Sequence, residues 1–487
     1  MQTLNSILQK NITLEIVGQT DLAISGLAFD SRAVVANNIF FAIRGTQADG
    51  HRYIDTAIEK GAIAVVCEEI PENIKPGTTY LRVKDSSEAL GVLSAAFYNH
   101  PASKLKLVGV TGTNGKTTTV TLLFRLINAL GGKAGLISTV QNQIGDKVLP
   151  STHTTPDAIE LNRLLNQMVE EGCTHCFMEV SSHAVVQKRI EGVGFAGAIF
   201  TNITHDHLDY HKTFSEYIKA KKLFFDNLPS TAFALTNIDD RNGRVMVQNT
   251  NAKVNTYSLR SMANYKCKII EQQAHGMLLN VDSIELWTRL IGNFNAYNLL
   301  AVYATAMLLG FEQQEVLTAL SDMGPVNGRF ENLIAPNGVI AVIDYAHTPD
   351  ALENVISTIN KIRSEGNRLI TVVGAGGNRD KTKRPIMAQV ALQGSDLVVL
   401  TSDNPRNEEP SDIIADMKAG VAPSLVGRVL TITDRREAIR TACLLASPND
   451  VVLIAGKGHE SYQEVKGVKH HFDDKEEVAE IFKTLQA

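Results

Sequence analysis

The chain has 487 residues, room for three domains at about 150 residues each. Hydrophobic residues make up 44% and charged residues 20%, a globular balance that excludes a disordered, collagen-like or long coiled-coil chain. No run of about 18 apolar residues occurs, so no membrane span is expected, and the net charge of −5 offers no basic field for nucleic acid.

The opening stretch MQTLNSILQKNITLEIVG lacks the basic start and apolar core of a secretory signal, so a cytoplasmic protein is expected. Residues 1–103 mix short apolar runs (IFFAI, AIAVVCEE) with turn residues and read as a small α/β domain. NHPASKL at 99–105 reads as a linker, because Pro101 disfavours both helix and strand around it. A central domain over 104–329 opens with the buried strand LKLVGV, a glycine turn and the helical run TTTVTLLFRLINAL. Apolar strands recur at GLIST, CFMEV and GAIFTNI, each followed by a helical stretch. This alternation predicts an α/β fold whose central sheet is parallel, with helices on both faces. Near 325–337 a second boundary is expected. The carboxyl-terminal domain, 330–487, reads as Rossmann-like: VIAVIDYA, RLITVVGAGG, LVVLTSDNP and VVLIAGKG are strands ending in polar or glycine loops, where ligands gather in open α/β sheets. Five cysteines form no disulfide framework. Cys173 and Cys176 make a lone CxxC without a second pair and read as buried thiols.

The sharpest chemical signal is GTNGKT, Gly112 to Thr117, between a strand and a helix. Backbone N–H groups at a helix N-terminus bind phosphate, and glycines let the chain come close. Lys116 would reach the terminal phosphates and Thr117 would hold Mg²⁺. The general pattern asks for a glycine where Val110 stands. Glu179 closes the strand FMEV, where P-loop enzymes place an acidic Mg²⁺ ligand. The segment HDHLDYH, His205 to His211, is open to two readings, a polar loop or a two-metal hydrolase site, although Tyr210 interrupts the hydrolase spacing. Among Lys219, Lys221 and Lys222, at least two are expected at the surface. GAGGNRDKTKRP lacks the third glycine of a dinucleotide turn, because Arg379 stands there. Arg406 could pair with a ligand carboxylate or form a structural salt bridge with the glutamates close by.

Taken in order, GTNGKTTT, HTTPD, MEVSSHAVVQKR, HDHLDYH, YxxAK, GNFNAYN, NGRFE, DYAHTPD, GGNRDKxKRP, DNPR and AGKGHE resemble the Mur ligases of bacterial cell-wall synthesis, over almost the whole chain. The resemblance implies an ATP- and Mg²⁺-dependent, ADP-forming ligase that adds meso-diaminopimelate to the D-glutamyl γ-carboxylate of UDP-MurNAc-L-Ala-D-Glu through an acyl phosphate. It implies that Gly112, Thr113, Asn114, Gly115, Lys116, Thr117 and Thr118 bind ATP, with Thr117, Glu179, His207 and a carbamylated Lys221 around Mg²⁺. Lys116, Lys221, His207 and Glu179 would then be catalytic. Asn295 and Asn298 would meet adenine, and Arg329 and Asp344 the phosphates and ribose. The nucleotide-sugar would lie along Phe29, Ser31, Thr46, Gln47 and Ala48, then His153, Thr154, Thr155, Ser181, Gln187 and Arg189; relatives often carry Asn where His153 stands. Arg379, Asp403, Asn404, Pro405, Arg406, Gly456 and Glu460 match the family's diaminopimelate site. A monomer is implied as well. Folylpolyglutamate synthase shares the later motifs but lacks FDSR…FFAIRGTQADG and DNPR, and a P-loop regulatory ATPase would need no dense site for anionic substrates.

Overall fold

The computed structural model describes residues 2–8, 12–45, 48–151, 153–273 and 275–484. Three principal sheets follow one another along the chain. The first has five strands in the order Thr13–Val17, Thr79–Val83, Ala62–Cys67, Asn38–Phe41 and Gly26–Ala28, parallel except for the antiparallel Thr13–Val17 edge. Its helix Ser86–Phe97 begins on Asp85, whose side chain accepts from the Glu88 N–H. That helix packs against Ala158–Glu170 of the next unit, and Lys188 ties the two together through Asp85 and Glu88 at 2.9 and 2.7 Å. The 99–105 stretch is not open linker throughout: Pro101–Lys104 makes one 3-10 turn, with Pro101 and Ala102 buried.

The middle sheet has eleven strands. Seven are parallel, in the order Ala134–Ile137, His175–Glu179, Lys106–Thr111, Gly197–Phe200, Phe233–Asn237, Lys253–Ser258 and Tyr265–Gln273. The expected parallel sheet forms through these seven strands and gains antiparallel strands at both edges. A hairpin at Asn142–Ile144 and Lys147–Leu149 extends one side, and Gly276–Val281 and Ile284–Thr288 extend the other antiparallel. The far edge alternates exposed and buried side chains, Glu285 out, Leu286 in, Trp287 out, as a one-sided antiparallel strand requires. Helices Lys116–Ala129 and Asn293–Leu309 pack against the central strands and each other. Beyond Asn298 the second is apolar on almost every side, as a helix enclosed by protein must be.

The last sheet runs Glu331–Ile334, Ile340–Asp344, Val451–Ala455, Leu369–Ala375, Leu397–Ser402 and Val429–Thr431, parallel except for its first strand. Its parallel strands are near-continuous apolar runs because both faces are covered. Helix Pro349–Ile362 starts on Thr348, whose hydroxyl accepts from the Ala351 N–H, with Pro349 at the first helical position. All five cysteines are free and buried, and burial pushes the Cys176 thiol well up. Among the described residues no helix is long and apolar enough to cross a membrane.

Candidate functional site

The P-loop turns directly off strand Lys106–Thr111. Val110, where the general pattern expects glycine, is a buried strand residue paired with Glu179 and Ile199, so the tight turn begins two residues later. A Cβ on Gly112 would stand 1.9 Å from Thr201 Oγ1, and Gly115 has φ +86° with its α-hydrogen face against Asn298 Oδ1; glycine is required at both. Lys116 Nζ donates to the Gly112 and Thr113 carbonyls, both at 2.9 Å. The Thr117 hydroxyl donates to Glu179 Oε1 at 2.9 Å, and the Thr139 N–H reaches the same oxygen at 2.8 Å. Arg329, from the far side of the cleft, donates to Thr117 Oγ1 at 3.0 Å. Glu179 is buried and is no solvated strand end.

The histidines of HDHLDYH diverge. His205 faces Asp380 of the last unit at 3.6 Å, His207 sits 3.4 Å from Asp206, and His211 shares a hydrogen bond with Ser182 Oγ at 2.8 Å. Among the described residues no three His, Cys, Asp or Glu side chains converge on a metal. Burial and its cationic neighbours lower His207, and His207, His347 and Lys383 hold Asp206 low against the opposing effect of burial. Helix Phe214–Asp226 sorts the three lysines: Lys219 is exposed, Lys222 pairs with Asp226, and Lys221 is buried. Lys221 Nζ donates to Gly112 O at 2.9 Å and lies 4.8 Å above the Tyr217 ring. Burial, reinforced by the charge of Lys116, drives Lys221 well below the ordinary lysine range.

A cavity of about 440 Å³ joins the middle and last units. Of the residues singled out by sequence, Thr113 to Thr118, Thr154, Glu179, Ser181, His207, Lys221, Asn298, Arg329 and Asp344 line it. Asn295 sits behind Asn298, donating to Ile291 O and accepting from Asn298. Burial raises Asp344 to about 6, opposed by Arg329 and by the Phe330 N–H at 2.8 Å. The sequence reading missed four lining residues inside its own DYAHTPD motif: Tyr345, Ala346, His347 and Asp350. Asp350 Oδ2 accepts from the P-loop side chain Asn114 at 2.9 Å, and burial lowers His347 to about 4.

On one side of the cavity Thr155, Ser181, Gln187 and Arg189 form a network. Arg189 donates to Thr155 O at 2.7 Å and to Gln187 Oε1, and Thr155 Oγ1 donates to Glu179 O at 2.8 Å while accepting from Ser181 N at 3.1 Å. His153 is exposed beside it. Phe29 and Ala48 belong to loops of the first unit and are exposed, and Ser31 opens the 3-10 turn Ser31–Ala33; Thr46 and Gln47 lie outside the described residues. The remaining group gathers at the carboxyl ends of the last sheet. Asn404 donates to Glu460 Oε2 at 2.7 Å, Gln463 donates to Asp403 O, and Gly377 packs on Pro405. Gly456 lies against Asp403, and Arg379 is exposed beside Gly376. Arg406 donates to Gly377 O at 2.8 Å and faces Glu464 at 3.5 Å. The glutamates near it in sequence go elsewhere, Glu408 to Arg384 and Lys381 and Glu409 to Lys466. Tyr345 joins the two regions: it lines the cavity, and its hydroxyl reaches Glu460 Oε1 at 3.4 Å.

A P-loop cleft between α/β units, with a carboxylate-and-arginine cluster facing it, defines an enzyme of phosphoryl chemistry on anionic substrates. The Mur ligase family catalytic domain matches residues 23–98, the Mur ligase middle domain 110–306, and the Mur ligase glutamate ligase domain 328–458. The chain belongs to the Mur ligase family. It is similar to UDP-N-acetylmuramoyl-L-alanyl-D-glutamate–2,6-diaminopimelate ligases of Cytophaga hutchinsonii, 58% identical over 99% of both chains, and of Phocaeicola vulgatus, 58% identical over 97% of this chain and 98% of the other. A solved structure of an enzyme of that name is 33% identical, covers 100% of this chain and 99% of its own, and superposes with a TM-score of 0.71.

Proposed function

We propose that this protein is the ATP-dependent ligase that joins meso-2,6-diaminopimelate to the D-glutamyl γ-carboxylate of UDP-MurNAc-L-Ala-D-Glu, in the cytoplasm and as a monomer. The carrying observation is full-length similarity at 58% identity to ligases of that name, and the cavity supplies matching chemistry. Residues 1–103 would hold the nucleotide-sugar, 104–329 the ATP, and 330–487 the amino acid.

A carboxylate is a poor acylating agent. Lys116 and Arg329 would offset charge on the γ-phosphoryl group as the carboxylate attacks it and ADP departs, a step of positioning and electrostatics. Thr117, Glu179 and His207 line the same cavity as Lys221, and a hydroxyl touching a carboxylate suits Mg²⁺, which prefers oxygen donors. A lysine amine does not suit it. The neutral amine of Lys221 would add to CO2, releasing a proton and leaving a carbamate oxygen for the ion. Bound there, Mg²⁺ would neutralise the transferring phosphate. The acceptor amine then attacks the acyl phosphate, and inorganic phosphate leaves from the tetrahedral intermediate. Arg189, Gln187 and Thr155 would hold the donor peptide, and closure of the units around Tyr345 would keep water out. Diaminopimelate differs from lysine by one carboxylate, which Arg406 can pair bidentately.

ATP-dependent phosphate release with UDP-MurNAc-L-Ala-D-Glu present tests this, comparing meso-diaminopimelate, L-lysine and no amino acid. Release only with diaminopimelate is expected. Comparable release with lysine overturns the specificity, and release independent of both organic substrates overturns the ligase in favour of a P-loop switch.

A further inference from the structure

Lys457, at the carboxyl end of strand Val451–Ala455, has a side chain with no solvent exposure. Its Nζ donates to Asn404 Oδ1 at 3.1 Å and to Glu460 Oε2 at 3.3 Å, and it stands 4.0 Å from Asp403 Oδ1. The Tyr462 ring lies 5.5 Å from it. These contacts fix orientation. Asn404 Oδ1 also accepts from the Glu464 N–H at 3.0 Å, so its Nδ2 is the end that faces Glu460. Glu460 thereby receives two donors on one oxygen and presents the other toward Tyr345.

The contacts also set charge. Asp403 and Glu460 bring two carboxylates into a nearly dry cluster, and Lys457 answers one of them. A second buried cation, Arg435, is bonded to the equally buried Asp474 at 2.8 and 2.7 Å. Burial and Asp403 push the Glu460 carboxyl up, while Lys457 and Asn404 pull it back.

We propose that Lys457 is a positioning residue for the acceptor amino acid: it orients the Asn404–Glu460 pair and leaves the cluster one net negative charge, which fits a second ammonium group carried by the acceptor. This rests on the ligase reading above. The test uses the full chain, with phosphate release read while each substrate is varied. In Lys457→Met the KM for meso-diaminopimelate rises about 100-fold, the scale of unpairing a buried charge, while the KM values for ATP and the nucleotide-sugar stay within about twofold. Lys457→Ala is rescued by n-propylammonium and not by n-propanol, which fills the same space without charge. An unchanged KM for diaminopimelate, an equal rise for all three substrates, or rescue by propanol overturns the proposal. Should both variants fail to fold, the unaltered enzyme decides: 2-aminopimelate, which lacks the second amino group, is used about 100-fold less well, and use within about tenfold of diaminopimelate overturns the inference. An unaltered enzyme inactive with diaminopimelate fails the ligase reading itself; an active one with indifferent Lys457 variants fails only this step.

Discussion

Among the described residues Lys221 and Lys457 are buried on the two sides of the cleft, and their neighbours differ. Lys221 meets the Gly112 carbonyl, the Thr111 hydroxyl at 3.5 Å and the Tyr217 ring, with Lys116 as a second cation nearby. Lys457 meets Glu460, Asp403 and the Asn404 amide oxygen. Residue type and burial are the same, yet Lys221, without a carboxylate in hydrogen-bond reach, is driven toward the neutral amine, whereas Lys457 forms an ion pair. Burial alone therefore does not assign a lysine's chemistry; the sign of what surrounds it does. The P-loop side seats its lysine among carbonyl and hydroxyl oxygens, and the carboxyl-terminal side seats its lysine beside two carboxylates.

Replacing Lys221 breaks the contrast most severely. Lys221→Met is expected to lower kcat by about a thousandfold, the scale of removing a preorganised charge-stabilising group. Stripping dissolved CO2 should slow the unaltered enzyme, and bicarbonate should restore it; a Lys221→Met enzyme with near-full turnover would end the carbamate reading. On the other side, Arg435→Met leaves Asp474 buried without a partner and should cost about 3–5 kcal/mol in urea unfolding. The double change Arg435→Met with Asp474→Leu should recover most of that loss, and failure to do so would show that the Ser402 and Ala455 carbonyls carry the interaction.

A smaller effect sharpens the selective side. Arg406→Ala should lose about 2–3 kcal/mol of kcat/KM for diaminopimelate, the worth of a charged hydrogen-bonded group, with the KM for ATP unmoved. A uniform loss across substrates would mean that Arg406 only braces Gly377. The smallest expected change concerns Asp344. Its folded carboxyl, raised to about 6, binds a proton more tightly than the unfolded chain does. The stability this group contributes is complete below the unfolded value and lost as pH rises through about 6. Asp344→Asn should thus gain about 1–3 kcal/mol near pH 8 and nothing near pH 3.5. Thermal melts at both pH values check the sign.

Much of the architecture was legible in the residues. Parallel strands buried on both faces must be continuous apolar runs, so LKLVGV, GAIFTNI and VVLIAGKG announce themselves, and a glycine turn entering a helix marks the phosphate loop whatever surrounds it. The antiparallel edge at 276–288 escaped, because its outer strand Ile284–Thr288 alternates exposed and buried residues and the apolar signal is diluted. The resemblance marked Lys221, and its seat over the Tyr217 ring came only with the fold. Tertiary structure alone decided the pairings: Arg406 with Glu464 in place of its sequence neighbours, Asn114 with Asp350 across 236 residues, and Lys457 between Asp403 and Glu460. Strand, turn and helix signals act over a few residues, whereas the partner of a charge is set by which distant loops the sheets bring to the same end.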